Sequence, residues 1–170
     1  MPKDFVHLHN HSDYSLLDGA QKINQMVQKA KFLGMKSIAL TDHGNLFGAM
    51  EFYSCCKKEG IKPIIGMEAY IVGQGSRLNR EKVIGTVNKV YHLVLLSKNI
   101  QGYKNLMKLS TISYLEGFYY RPRMDKEILR KYSDGLIGLS ACFGARAPAP
   151  VCVLQSQPGE SVGFARCRCG

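Results

Sequence analysis

KSIALTDHGNLFGAMEFYSCCKKEGIKPIIGMEAYIV, residues 36–72, decides the fold. Residues 36–41 hold the apolar run Ile38-Ala39-Leu40 and read as a strand. From Phe47 to Glu59 the apolar positions Phe52, Tyr53 and Cys56 recur at helical spacing, and Gly60 stops the helix. From Ile61 to Val72 the chain is again strand-like, with Pro63-Ile64-Ile65-Gly66 followed by Met67-Glu68-Ala69-Tyr70-Ile71. Strand, helix and strand in this order make a βαβ unit, whose helix lets the second strand return parallel to the first.

The same alternation continues on both sides. Phe5 to His9 reads as a short buried strand. Gln21 to Leu33 reads as a helix, with Ile23, Met26, Val27, Ala30 and Leu33 on one face and Gly34 just past its end. Residues 73–88 are polar and glycine-bearing, which predicts a loop. His92 to Leu96 reads as a fourth strand, and Gln101 to Tyr114 as a helix with Leu106, Leu109 and Ile112 inward. Met124 to Tyr132 is a further helix, and Asp134-Gly135 turns the chain into a fifth strand, Leu136 to Ser140. The fold class is α/β, with about five βα units forming a parallel sheet or a (β/α) barrel. Such folds gather their chemistry at the C-terminal ends of the strands. After residue 143 the composition changes: from Ala145 on there is no lysine, isoleucine or tyrosine and no useful period. The expectation is a domain over 1–143 and an irregular tail over 144–170, disordered or frame-shifted.

At 170 residues and 45% hydrophobic content the chain can bury one real core. No apolar run approaches the ~20 residues of a membrane span, and no apolar leader follows Met1, so a cytoplasmic protein without a membrane partner is expected. The six cysteines do not read as a disulfide framework in such a chain. The net charge of +10 favours a polyanionic partner.

Three of the five histidines fall in one run, His7-Leu8-His9-Asn10-His11. A His-x-His pair on a strand points both imidazoles to one face. His7 and His9 are taken as the metal pair and His11 as structural. His43, Glu68, His92 and Cys142 supply further donors of the right type. Glu68 lies in an apolar stretch, where an unpaired carboxylate is costly to bury. Asp42 fits a supporting role at a strand end. Arg121 and Arg123 flank Pro122 beside Phe118-Tyr119-Tyr120. Arginines among aromatics suit single-stranded nucleic acid, or a loop packed against the remainder of a larger protein.

Four ordered runs, His7 to Gly19, Leu40 to Tyr53, Gly60 to Tyr70 and Tyr114 to Asp125, carry a family resemblance. Together they resemble a PHP (polymerase and histidinol phosphatase) domain, and among these the N-terminal PHP domain of the bacterial replicative polymerases, the DNA polymerase III alpha subunits. The likeness runs from about Phe5 to Cys142. It implies a distorted (β/α)7 PHP barrel, incomplete here, and up to nine ligands around as many as three divalent ions, Zn²⁺ or Mn²⁺. Matched by motif, those ligands are His7, His9, Asp18, His43, Glu68, His92 and Cys142, with Glu68 as a bridge. The family's last two ligands, in an Asn-Asp-x-His-like motif, have no counterpart, since no histidine follows His92. The resemblance implies metal-dependent phosphoester hydrolysis as a 3′–5′ proofreading exonuclease. Its partners would be a single-stranded DNA 3′ end, the rest of the polymerase and other replisome subunits. The polymerase carboxylates are not among these residues, so this chain alone would not extend DNA. Two alternatives stay open: a metal-binding structural module without turnover, and a free-standing small-molecule phosphatase.

Overall fold

The computed structural model describes residues 5–16, 18–82, 85 and 89–140. Along the chain lie α1 (Ile23–Phe32), β1 (Ser37–Leu40), α2 (Ala49–Glu59), β2 (Lys62–Val72) and β3 (Val90–Ser97). They are followed by α3 (Ile100–Leu115), β4 (Phe118–Tyr119), β5 (Arg121–Met124), α4 (Lys126–Lys131) and β6 (Leu136–Ser140).

The βαβ unit of residues 36–72 is present. β1 pairs parallel with β2 from Ser37 opposite Lys62 to Leu40 opposite Ile65, and α2 is the crossover. Gly60 ends α2 at φ +72°, where a Cβ is disfavoured, and the Ile61 N–H returns to the Cys56 carbonyl at 2.9 Å. The α/β class holds, but the sheet is mixed. β3 runs antiparallel to β2, from Gly66 opposite Leu96 to Val72 opposite Val90, and β6 runs antiparallel to β3. The described residues of 73–89 hold no helix, so the chain doubles straight back; a parallel return needs a long crossover. The strand order is β4-β5-β2-β3-β6, with β1 also on β2.

Some elements differ from expectation. Phe5–His9 is not a strand; it is tied to β1 and its continuation by the Ala39 N–H to the His7 carbonyl and, just beyond, the Thr41 N–H to the Asn10 carbonyl. The helix expected from Met124 begins at Lys126, because Met124 completes β5 and the Asp125 carboxylate caps α4 by accepting from the Ile128 N–H.

Alternation along β2 divides its two faces. Met67, Ala69 and Ile71 meet Leu106 and Leu109 of α3, Ile128 of α4 and Leu136 in one buried cluster. Ile23, Met26, Val27, Ile38, Leu40 and Phe52 form a second, where α1 and α2 cover β1. Glu68, between Met67 and Ala69, points to the face away from α3.

Candidate metal centre

Glu68 is 1% exposed and lies at the convergence of four imidazoles. Its Oε2 is 2.8 Å from His9 Nε2, 2.9 Å from His11 Nε2 and 3.5 Å from His43 Nδ1. Its Oε1 is 2.7 Å from His92 Nδ1. His43 turns its other nitrogen, Nε2, onto Asp18 Oδ2. Burial alone would raise the Glu68 pKa, but hydrogen bonds from His11, His9 and His92 and the charge of His43 hold it far below the usual carboxylate range. The group is therefore an anion at neutral pH. Burial also opposes protonation of His11, yet Glu68, with Asp42 and Asp18 further off, lifts its pKa above the ordinary histidine value. His43 holds the exposed Asp18 carboxyl below its own usual value.

Each donor is placed by the sheet. His92 faces Tyr70 across the β2–β3 ladder, so it lies diagonally from Glu68 on the same face. His43 follows β1 and bridges to Glu68: the Glu68 N–H donates to the Asp42 carbonyl, and the Gly44 N–H to the Glu68 carbonyl. Gly44 sits at φ +64°, and a Cβ there would lie 2.8 Å from Pro122 Cγ and 3.0 Å from Tyr70 Cε2. His9 and His11 flank Asn10, which is stitched to β1 and Thr41. Its Nδ2 donates to the His7 and Ala39 carbonyls, and its N–H to Thr41 Oγ1. Buried Asp42 accepts from the Ser12 N–H and from the hydroxyls of Ser12 and Ser15. Ser15 Oγ also lies 3.1 Å from His11 Nδ1 and accepts from the His43 N–H. The Ser12–Ser15 turn thus fixes two of the imidazoles through one carboxylate.

The donor set fits divalent metals. His9, His11 and Glu68 form one group with converging ligand atoms, and His43, Glu68 and His92 another. His43 Nδ1 is the one buried side-chain nitrogen or oxygen without a hydrogen-bond partner among the described residues, and it faces the Glu68 carboxylate. Imidazole and carboxylate donors in this mixture suit Zn²⁺ or Mn²⁺.

The PHP domain family matches residues 7–162. The chain belongs to the PHP domain family. The DNA polymerase III subunit alpha of Borreliella burgdorferi is 61% identical over 144 residues, which cover 85% of this chain and 12% of that protein. The protein of the same name from Aquifex aeolicus is 56% identical over 147 residues, covering 84% of this chain and 13% of its own length. That of Treponema pallidum is 50% identical over 163 residues, or 95% of this chain and 14% of the relative. This PHP domain chain therefore spans 12–14% of the length of these relatives. An amidohydrolase structure from Chromobacterium violaceum is 23% identical over 61% of this chain and 32% of that one, at a TM-score of 0.43, too low to bear on the assignment. Among the described residues no helix is long and apolar enough to cross a membrane.

Of the expected ligands of the PHP domain, the structure brings His9, Asp18, His43, Glu68 and His92 together. His7 is placed elsewhere. It is exposed, its ring meets Phe5 edge-on at 4.7 Å, and the second imidazole beside His9 is His11. His-x-His occurs twice in overlapping frames, and alternation puts all three rings on one side, so the sequence did not distinguish the frames. Cys142 lies outside the described residues. Arg121 is exposed, with its guanidinium 4.9 Å above the Tyr70 ring. Arg123, read with it as a nucleic-acid contact, is 2% exposed. Its Nε donates to the Gly117 carbonyl and its Nη2 to those of Arg77 and Asn79, so its donors face the protein.

Proposed function

We propose that this chain is the PHP domain of a bacterial DNA polymerase III alpha subunit, and that the Glu68 cluster is a divalent-metal centre for phosphodiester hydrolysis at the 3′ end of single-stranded DNA. The observation that carries this reading is one buried carboxylate facing four imidazoles, one of them with an orphaned nitrogen. His9, His11 and Glu68 would hold one ion, and His43, Glu68 and His92 another, with Asp18 beside His43. His7 and Cys142 complete the proposed set on the family resemblance, which allows as many as three ions, Zn²⁺ or Mn²⁺. Bound ions would supply Lewis-acid activation of water and neutralise charge on the phosphate.

The chain's own residues do the positioning. Glu68 stays ionised and belongs to both groups, as a bridging ligand must. Asp42 and Ser15 hold His11 and His43 in place. Arg121, beside Tyr70, presents an exposed cation for a DNA phosphate. The net charge of +10 supports a nucleic-acid substrate, and the relatives support a cytoplasmic setting with polymerase and replisome partners.

The test is hydrolysis of a 5′-labelled single-stranded oligonucleotide and of bis(p-nitrophenyl) phosphate by the full chain with Mn²⁺ or Zn²⁺. Metal-dependent shortening from the 3′ end, lost in Glu68→Gln and His9→Ala, is expected. Tight metal binding with no turnover would leave a structural module. Preference for a small phosphate monoester would leave a small-molecule phosphatase.

A further inference from the structure

The hairpin from β4 to β5 turns on one residue. Tyr119 and Arg121 are a register pair, and Tyr120 stands between them. Tyr120 has φ +60°, the left-handed region, and is the one non-glycine residue with positive φ among the described residues. A bulky L side chain is disfavoured there, while glycine is at home. The ring returns little to the fold. It is 85% exposed, and its ring contact is an edge-on approach to Tyr119 at 4.6 Å. A strained aromatic held out in solvent points to a ligand for its face.

The surroundings define that ligand. Beside the tip lies a cavity of about 330 Å³, within the range of small-ligand sites. Among the described residues, Lys82, Lys89, Arg121 and Arg123 line it with the carboxylate of Glu81. Arg123 spends its donors on carbonyls and lies 5.1 Å from the Tyr119 ring, so it supports the hairpin from within. Lys82, Lys89 and Arg121 remain as the cations on offer to an anion. A chain of contacts leads from the cavity toward the Glu68 cluster. Arg121 lies over Tyr70, whose ring runs 16° from parallel with His43 at 5.9 Å and meets His92 edge-on at 5.0 Å. Arg121 and Tyr70 thus link the cavity to two candidate metal ligands.

We propose that the Tyr119–Arg121 tip and its cationic cavity form a binding subsite for single-stranded nucleic acid, in which Tyr120 stacks on a base and Arg121, with Lys82 and Lys89, takes the neighbouring phosphate. The subsite rests on the hydrolytic reading above, because it would feed a strand toward Glu68. It makes and breaks no bond, and stacking of this kind tolerates any base.

Tyr120→Gly tests it, because glycine suits the backbone and removes the ring. The full-length variant is expected to melt no lower than the parent. Its affinity for a fluorescent single-stranded oligonucleotide in metal-free buffer should fall about five- to 150-fold, the span seen for base–aromatic stacking. An abasic residue near the 3′ end should weaken binding by the parent and add little in Tyr120→Gly, since ring and base are partners. Arg121→Ala should lower the slope of log affinity against log salt by about one. Unchanged affinity in Tyr120→Gly, fully additive losses, no binding by the parent, or tighter binding of an acidic peptide than of DNA would each overturn the subsite. Turnover of bis(p-nitrophenyl) phosphate by the parent separates the two readings. Turnover without a Tyr120 effect sinks the subsite alone, and a Tyr120 effect without turnover sinks the hydrolytic reading alone.

Discussion

Arg123→Lys is expected to unfold this domain more easily, for reasons that can be followed atom by atom. Arg123 Nε donates to the Gly117 carbonyl at 3.0 Å, and Nη2 donates to the Arg77 and Asn79 carbonyls at 2.9 and 2.7 Å. One planar guanidinium thereby ties the α3–β4 turn to residues 77–79. Burial pushes its pKa below the usual arginine value, yet arginine remains charged in a protein. An ammonium on a flexible stem cannot reproduce this fork and reaches one of the carbonyls well. A hydrogen bond from a charged donor contributes about 1.5–3 kcal/mol, so losing two costs about 3 kcal/mol at the low end. In a domain of this size each kcal/mol moves Tm by about 2–4 °C, which predicts a fall of about 6–12 °C. Thermal unfolding followed by circular dichroism reads it directly. An unchanged Tm together with weaker single-stranded DNA binding would refute the reasoning and return Arg123 to the nucleic-acid surface.

Two further outcomes follow from the same geometry. Asp125 accepts from Arg77 and from the Ile128 N–H, and although burial pushes its pKa up, those bonds and the Arg77 charge hold it below its ordinary 3.8. A depressed carboxylate contributes stability that is complete above the unfolded value and is lost as pH falls through the folded one. Asp125→Ala, which also removes a helix cap, should therefore cost about 2–3 kcal/mol at pH 7, and the gap in urea midpoint should shrink below about pH 4; a gap constant with pH would contradict this. His11→Ala should weaken Zn²⁺ or Mn²⁺ binding at least about tenfold, and His7→Ala less, because His11 Nε2 faces Glu68 whereas His7 is exposed against Phe5; isothermal titration decides, and the reverse order would favour the first His-x-His frame.

Sequence reasoning reached the βαβ unit because its signals agree: an apolar strand, a helical period, a glycine stop and a second apolar strand over residues 36–72. The direction of β3 was not legible, since the polar residues after Val72 carry no mark of whether the chain doubles back or crosses over. Drawing that strand from His92 also hid the histidine's place, three residues into a strand that starts at Val90. The two-residue β4 and the four-residue β5 are too short to show a strand period, and Pro122 within β5 has no N–H for a ladder. In the site, Glu68 stood out because a carboxylate in an apolar strand needs partners. That His11 and not His7 faces Glu68 follows from the stitch of Asn10 to β1 and Thr41, a tertiary contact. Arg121 and Arg123 look alike in sequence; only burial separates the exposed cation from the internal clamp.

A metal centre anchored by Glu68 must lose its ions with that carboxylate. The direct measurement is the metal content of the full chain after loading with Mn²⁺ or Zn²⁺ and exhaustive dialysis, compared with Glu68→Gln, an amide of the same shape. More than one ion retained per parent chain is expected, and their loss from a Glu68→Gln variant that keeps the parent's circular dichroism spectrum. Equal metal content in the two folded proteins, or none in the parent, would contradict it.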